Sequence, residues 1–93
     1  MIDKAYGVPN PNPTSIVFHL QGYVDNVTVQ FFTKAMVQFW SGNSGHEGAG
    51  WGRISLPPAA LANAPDGVFY AILTPYRNGG AGKRAMISLM VLR

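Results

Sequence analysis

The chain has no cysteine, so neither a disulfide nor a thiolate metal site is open to it. Charge is scarce as well: charged residues make up 12% of the sequence and apolar residues 47%. A disordered segment shows the opposite balance, because it lacks the apolar surface to offset the entropy of ordering. There are only four acids, Asp3, Asp25, Glu47 and Asp66, each in or beside a turn signal. That excludes the pair of carboxylates that flanks a glycosidic bond in a hydrolase. No apolar run approaches the roughly 18 residues of a membrane-spanning helix. "MIDKAYGVPNPNP" has no apolar core of a secretory signal.

Glycine and proline are plentiful, 11 and 7 in 93 residues, and they cut the chain into short pieces. "SIVFHL" (15–20) alternates, with Ile16, Phe18 and Leu20 on one side and Val17 and His19 on the other. "NVTVQFF" (26–32) alternates in the same way, and its β-branched and aromatic residues favour a strand. "TKAM" (33–36) reads as a tight turn leading to a third strand over 36–40. "SGNSGHEGAG" (41–50) reads as a loop, and "WGRISL" (51–56) as a strand that puts Trp51, Ile54 and Leu56 in the core. Pro57 and Pro58 are suited to opening one helical turn over 59–61, and Pro65-Asp66-Gly67 to closing the connection. "VFYAILTPY" (68–76) is apolar on both faces, which predicts a central strand. "RNGGAGK" (77–83) is a glycine hairpin loop, and "RAMISLMVL" (84–92) the last strand.

Six strands, or seven if residues 5–8 pair at an edge, predict one all-β domain: a small antiparallel sandwich. Met36, Met86 and Met90 are expected to fill gaps in its core. "PNPNP" (9–13) reads as an extended lead-in at the rim, since proline cannot donate to a ladder.

The search for chemistry returns little. His19 sits mid-strand on the polar face, and His46 lies beside Glu47 in the glycine loop; no G-x-S-x-G elbow accompanies either. His46 and Glu47 are neighbours, too few and too close to form a metal shell. "GGAGKR" (79–84) fails as a phosphate loop: Arg77 stands where its first glycine belongs and Arg84 where its hydroxyl belongs. Asn26-Val27-Thr28 is a formal glycosylation sequon at the start of a strand. The sequence therefore predicts no enzyme, no metal and no cofactor.

All four acids precede residue 67, whereas Arg77, Lys83, Arg84 and Arg93 follow it. This basic C-terminal quarter is too sparse for nucleic acid but suits an acidic protein partner. Tyr6, Tyr23, Phe32, Trp40, Trp51 and Tyr76 exceed what so small a core can bury. Trp40, Trp51 and Tyr76, with Asn43 and Glu47, are the residues for a sugar platform, the alternative to a protein partner.

The order of motifs resembles a known series. "VPNPNPTSIVFHL", then "VTVQFFTKAMVQFW", "DGVFYAIL" and finally "RAMISLMVLR" are similar to successive strands of the Ig-like domain of flagellar hook-capping proteins. They are equally similar to the type A sorting domains of the type IX secretion system. Lys34-Ala35-Met36 stands where that hairpin usually has a glycine, and Trp51-Gly52-Arg53 lacks the family's acid, so the residues do not separate the branches. The resemblance implies a seven-stranded Ig-like sandwich, a non-catalytic C-terminal module of a larger bacterial protein. Its place would be outside the cytoplasm, where it serves in assembly or cell-surface sorting. A third expectation is a self-assembling structural subunit. Arg77, Lys83, Arg84, Arg93, Trp40, Trp51 and Tyr76 are the candidate partner-binding residues.

Overall fold

The computed structural model describes residues 2–45 and 48–93. The strands in chain order are β1 (Ile2–Val8), β2 (Ser15–Leu20), β3 (Asn26–Phe32), β4 (Gln38–Asn43), β5 (Gly50–Ser55), β6 (Gly67–Arg77), β7 (Gly80–Ala81) and β8 (Ala85–Val91). A single 3-10 turn, Pro58–Leu61, lies between β5 and β6. One sheet runs β1-β2-β5. The other runs β4-β3-β6, and the far side of β6 is shared by β8 and the two-residue β7. All pairs are antiparallel. This is the Ig-like sandwich order with the fourth strand placed beside the third.

The period-2 pattern decides which side chains meet between the sheets. Ile16, Phe18, Leu20 and Ile54 come from one sheet; Val27, Val29, Phe31, Phe69, Ala71, Leu73, Leu89 and Val91 come from the other. Phe18, Phe31 and Phe69 are fully buried, and each contributes about 1.5–3 kcal/mol of transfer free energy. β6 is central, as its two apolar faces predict: β3 pairs with it on one side and β8 on the other.

β1 pairs with β2 over its whole length rather than over residues 5–8 alone. β4 runs on through Ser41, Gly42 and Asn43, the first part of the supposed glycine loop, because these residues continue the ladder to Val29 and Thr28. A bulge opposite Phe31 and Phe32 sets two consecutive aromatics of β4, Phe39 and Trp40, against the core. The tight turn over 33–36 is present: Met36 N–H donates to Thr33 O at 2.8 Å, with Met36 at φ 64°.

The proline segment does more than extend the chain. Pro13 is fully buried, Val8–Pro9 and Asn10–Pro11 are cis, and Asn12 takes φ 59°. Asn12 lies along the edge of β8: its N–H donates to Met90 O at 2.8 Å and its Nδ2 to Leu92 O at 3.1 Å. Its Oδ1 accepts from Leu92 N–H at 2.8 Å, and Asn10 Oδ1 accepts from Met90 N–H at 3.2 Å. The last third of an exposed strand edge is thus covered by the chain's own lead-in, which removes a template for pairing.

Two core expectations are corrected. Trp51 and Ile54 are an odd number of residues apart, so a regular strand sends them to opposite faces. Ile54 faces inward, opposite Ile16, while Trp51 is 59% exposed. The inward positions beside Ile54 are Gly52 and Gly50, opposite Phe18 and Leu20. The methionines are not core fillers either. Met86 and Met90 pair with Ile72 and Val68 on the outward side of β8 and are 62% and 37% exposed; Met36 sits exposed in its turn.

Candidate functional site

The outward methionines belong to a larger surface. On the outer face of the β4-β3-β6-β8 sheet, the ladder places Phe32 beside Tyr70 and Ser88, Gln30 beside Ile72 and Met86, and Val68 beside Met90. Phe32, Val68, Tyr70 and Ile72 are half-buried, and Met86 and Met90 are exposed. A sheet face meeting water is ordinarily polar at these positions. Here the β6–β8 half is apolar. Toward β4 the same face becomes polar, and Thr28, Gln30, Gln38, Ser41, Asn43 and Tyr76 line a trough of about 390 Å³. None of these outward positions carries a charged side chain.

The four basic residues that follow Asp66 separate into two groups at the ends of β6. This strand is 11 residues long, so its ends lie roughly 33 Å apart. At one end Gly67 pairs with Val91, and beyond it Arg93 Nη2 donates to Leu61 O at 2.7 Å and Ala64 O at 2.8 Å. Asp66 Oδ1 accepts from Arg93 N–H at 3.1 Å. Arg93 therefore ties the last strand to the 3-10 turn, and its guanidinium is engaged within the domain.

At the other end, Arg77 and Lys83 line a cleft of about 360 Å³ between the β2–β3 loop and the β6–β7 hairpin. Arg84 is exposed beside it in sequence. Asn78 and Gly79, at φ 53° and 80°, make the two-residue turn of that hairpin. The loop and the hairpin are locked together. Asp25 Oδ2 accepts from Asn78 N–H at 2.7 Å, and Asp25 N–H donates to Tyr76 O at 2.7 Å. Tyr23 forms the aromatic wall. Loss of hydration there lifts its hydroxyl above the usual 10.0, and its hydrogen bond with Asp25 adds to the rise, while the charge of Arg77 opposes it.

The sheet β1-β2-β5 shows water a different surface. Tyr6, His19 and Trp51 cluster on it, with the Trp51 ring 4.9 Å from His19 and 6.2 Å from Tyr6, both edge-on. His19 Nδ1 donates to Asp3 Oδ1 at 2.8 Å, since a carboxylate can only accept. That hydrogen bond holds Asp3 below its ordinary 3.8, against a smaller opposing effect of lost hydration. An imidazole oriented by a carboxylate is part of a hydrolytic triad. Here the ring's neighbour is the Trp51 indole.

The residues proposed for a sugar platform are dispersed. Trp40 packs on Phe31 with ring centroids 4.9 Å apart and lies over Gly42, where a Cβ would come within 2.6 Å of its ring. Trp51 is on the other sheet, and Glu47, like His46, lies outside the described residues. Only Asn43 and Tyr76 share a surface, the polar trough. Asn26 of the sequon accepts from Gly45 N–H at 3.2 Å. Among the described residues, no cluster of three His, Asp or Glu side chains is placed to hold a metal, and no helix is long and apolar enough to cross a membrane.

Sequence reasoning missed the apolar outer face and the end cleft. The signal for the face was available: Phe32, Ile72 and Met86 are apolar at positions that alternation assigns outward. The cleft joins segments about 50 residues apart and had no local signal. No family model, curated protein or solved structure matches this chain.

Proposed function

We propose that the chain is a non-catalytic assembly module that joins to protein through the outer face of its larger sheet, with a second copy as the occupant. The observation that carries this is the uncharged face of Phe32, Val68, Tyr70, Ile72, Met86 and Met90. Exposed contiguous apolar surface marks interaction sites on soluble domains. The absence of charge suits a second copy: a contact between two copies of this face brings no like charges together. A strongly acidic partner would find nothing there to steer it.

Fully burying one such side chain is worth about 1.5–3 kcal/mol, and Met86 is 62% exposed. Only part of that survives the loss of rotational and translational freedom, so self-association in about the 0.1–1 mM range is expected. Sedimentation velocity up to about 1 mM protein tests it. The weight-average sedimentation coefficient should rise with concentration. Met86→Glu should abolish the rise, and Arg53→Glu on the other sheet should leave it intact. A monomer throughout, or equal loss in both variants, refutes the proposal.

The motif order supports placing the module outside the cytoplasm of a bacterium, in the manner of the hook-capping and sorting domains it resembles. A role in sorting is testable with an exported reporter fused to the domain. Deleting residues 84–93 is unsuitable, because it removes Leu89 and Val91 from the core. Lys83 and Arg84 are exposed, so Lys83→Glu with Arg84→Glu should leave the core intact, and unchanged export of that variant argues against recognition of the basic segment. A neutral glycan is the second reading, favoured by the amide- and hydroxyl-lined trough beside Tyr76. A glycan array of folded protein without a binder removes it.

A further inference from the structure

We infer that the cleft between the β2–β3 loop and the β6–β7 hairpin is a binding site for a carboxylate carried on an apolar body. The cleft is independent of the sheet face that supports self-association.

Four observations lead there. First, the two walls are fixed to each other by the Asp25 bonds to Asn78 and Tyr76, so the cavity exists before any ligand arrives. Second, its floor is apolar: Val24 and Pro75 are buried and Ala81 lies beside them. Third, Arg77 and Lys83 both line it, and neither forms an ion pair among the described residues, where His19–Asp3 is the one such contact. Asp25 is the nearest acid in the loop, and its carboxylate is already occupied by Asn78 N–H and Tyr23. Fourth, glycine at 82 keeps a side chain off the floor: a Cβ there would press on Pro75 at 3.2 Å.

Two unpaired cations over an apolar floor select an amphiphilic anion. A guanidinium presents parallel N–H groups that match a carboxylate, and an ammonium adds a point charge beside it. The Tyr23 ring and Pro75 then hold the apolar part. A volume of about 360 Å³ is at the small end of ligand pockets, enough for one amino-acid residue or an aromatic acid. Inorganic phosphate satisfies the cations but leaves the floor wet.

The test is an amide-detected NMR titration of the intact chain with N-acetyl-L-phenylalanine and, separately, with its C-terminal amide. The acid should shift Gly22, Gly80, Ala81 and Gly82, with an affinity in the range of about 0.1–1 mM. The amide should bind at least roughly tenfold more weakly, and Arg77→Gln should cause a similar loss for the acid. Arg77 and Lys83 are exposed and Arg77→Gln leaves the core untouched, so unchanged signals from β2, β3 and β6 verify the fold. A peptide ending in a free phenylalanine carboxylate distinguishes the sources: tighter binding than the single amino acid assigns the site to a chain terminus, and equal binding to a free small acid. Equal titration by acid and amide overturns the inference. So do shifts mapping outside the cleft, or a response to inorganic phosphate as strong as the response to the acid.

Discussion

Replacing Asn12 by alanine should cost the domain about 2 kcal/mol, a large share for a residue on an exposed connection. The side chain makes two hydrogen bonds to Leu92, at 3.1 and 2.8 Å, across 80 positions of sequence. At roughly 0.5–1.5 kcal/mol each, with exposed bonds at the lower end, they contribute on the order of 1–2 kcal/mol. Alanine must also hold φ 59°, a conformation asparagine tolerates better because its short amide bonds locally, which adds up to about 1 kcal/mol. Urea denaturation followed by tryptophan fluorescence reads the sum, and the melting temperature should fall by roughly 8–16 °C. Asn12→Gly loses the same two bonds but relieves the backbone, so it should cost less than Asn12→Ala. Asn10→Ala removes one bond of 3.2 Å and should cost under about 1 kcal/mol. If Asn12→Ala lies within about 0.5 kcal/mol of the parent, or is milder than Asn10→Ala, the lead-in is not part of the folded edge and the reasoning fails.

Three further outcomes follow from the packing. Gly42→Ala drives a Cβ to 2.6 Å from the Trp40 ring and should destabilise by about 1–3 kcal/mol in the same denaturation assay; Trp40→Leu in the same background should recover part of that loss. Iodide should quench Trp51 far more than Trp40, read on the Trp40→Phe and Trp51→Phe variants, because Trp51 is 59% exposed while Trp40 packs on the core. Asp3 is held below 3.8 by its His19 hydrogen bond. Its contribution to stability should therefore be complete above the unfolded carboxylate value of about 3.9 and disappear as pH falls through the lower folded value. NMR titration of the Asp3 carboxyl carbon should show a midpoint below 3.8 that rises in His19→Gln.

The strands most legible in the sequence are those with an unbroken pattern, period-2 in β2 and β3 and apolar throughout in β6. β2 and β3 alternate without a break, and their bounds are those the alternation gives. β6 stood out because it is apolar throughout, as befits a strand between two partners. β8 carries apolar residues on both faces too, yet only Ala85, Ile87, Leu89 and Val91 face inward, and of these only Leu89 and Val91 are buried. Composition could not tell that Met86 and Met90 were surplus to the core, because methionine packs acceptably in either setting. Trp51 misled for the same reason: its size argued for burial, whereas its spacing from Ile54 argued against it, and the spacing prevailed. The Asn10 and Asn12 contacts to β8, and the Asp25 bond to Asn78, close loops of 80 and 53 residues. No local pattern announces such pairings, so the covered edge and the cleft were visible only in three dimensions.

The claim that the outer face of the five-stranded sheet is an interface between copies is tested most directly by methyl NMR of methionine-labelled protein across a concentration series. Met86 and Met90 lie on that face, and Met36 sits in the turn at Thr33–Met36, outside the strand ladders that form it. The Met86 and Met90 methyl signals should move together as concentration rises toward about 1 mM, with Met36 stationary. Stationary signals from all three, or a Met36 shift as large as theirs, would contradict the account.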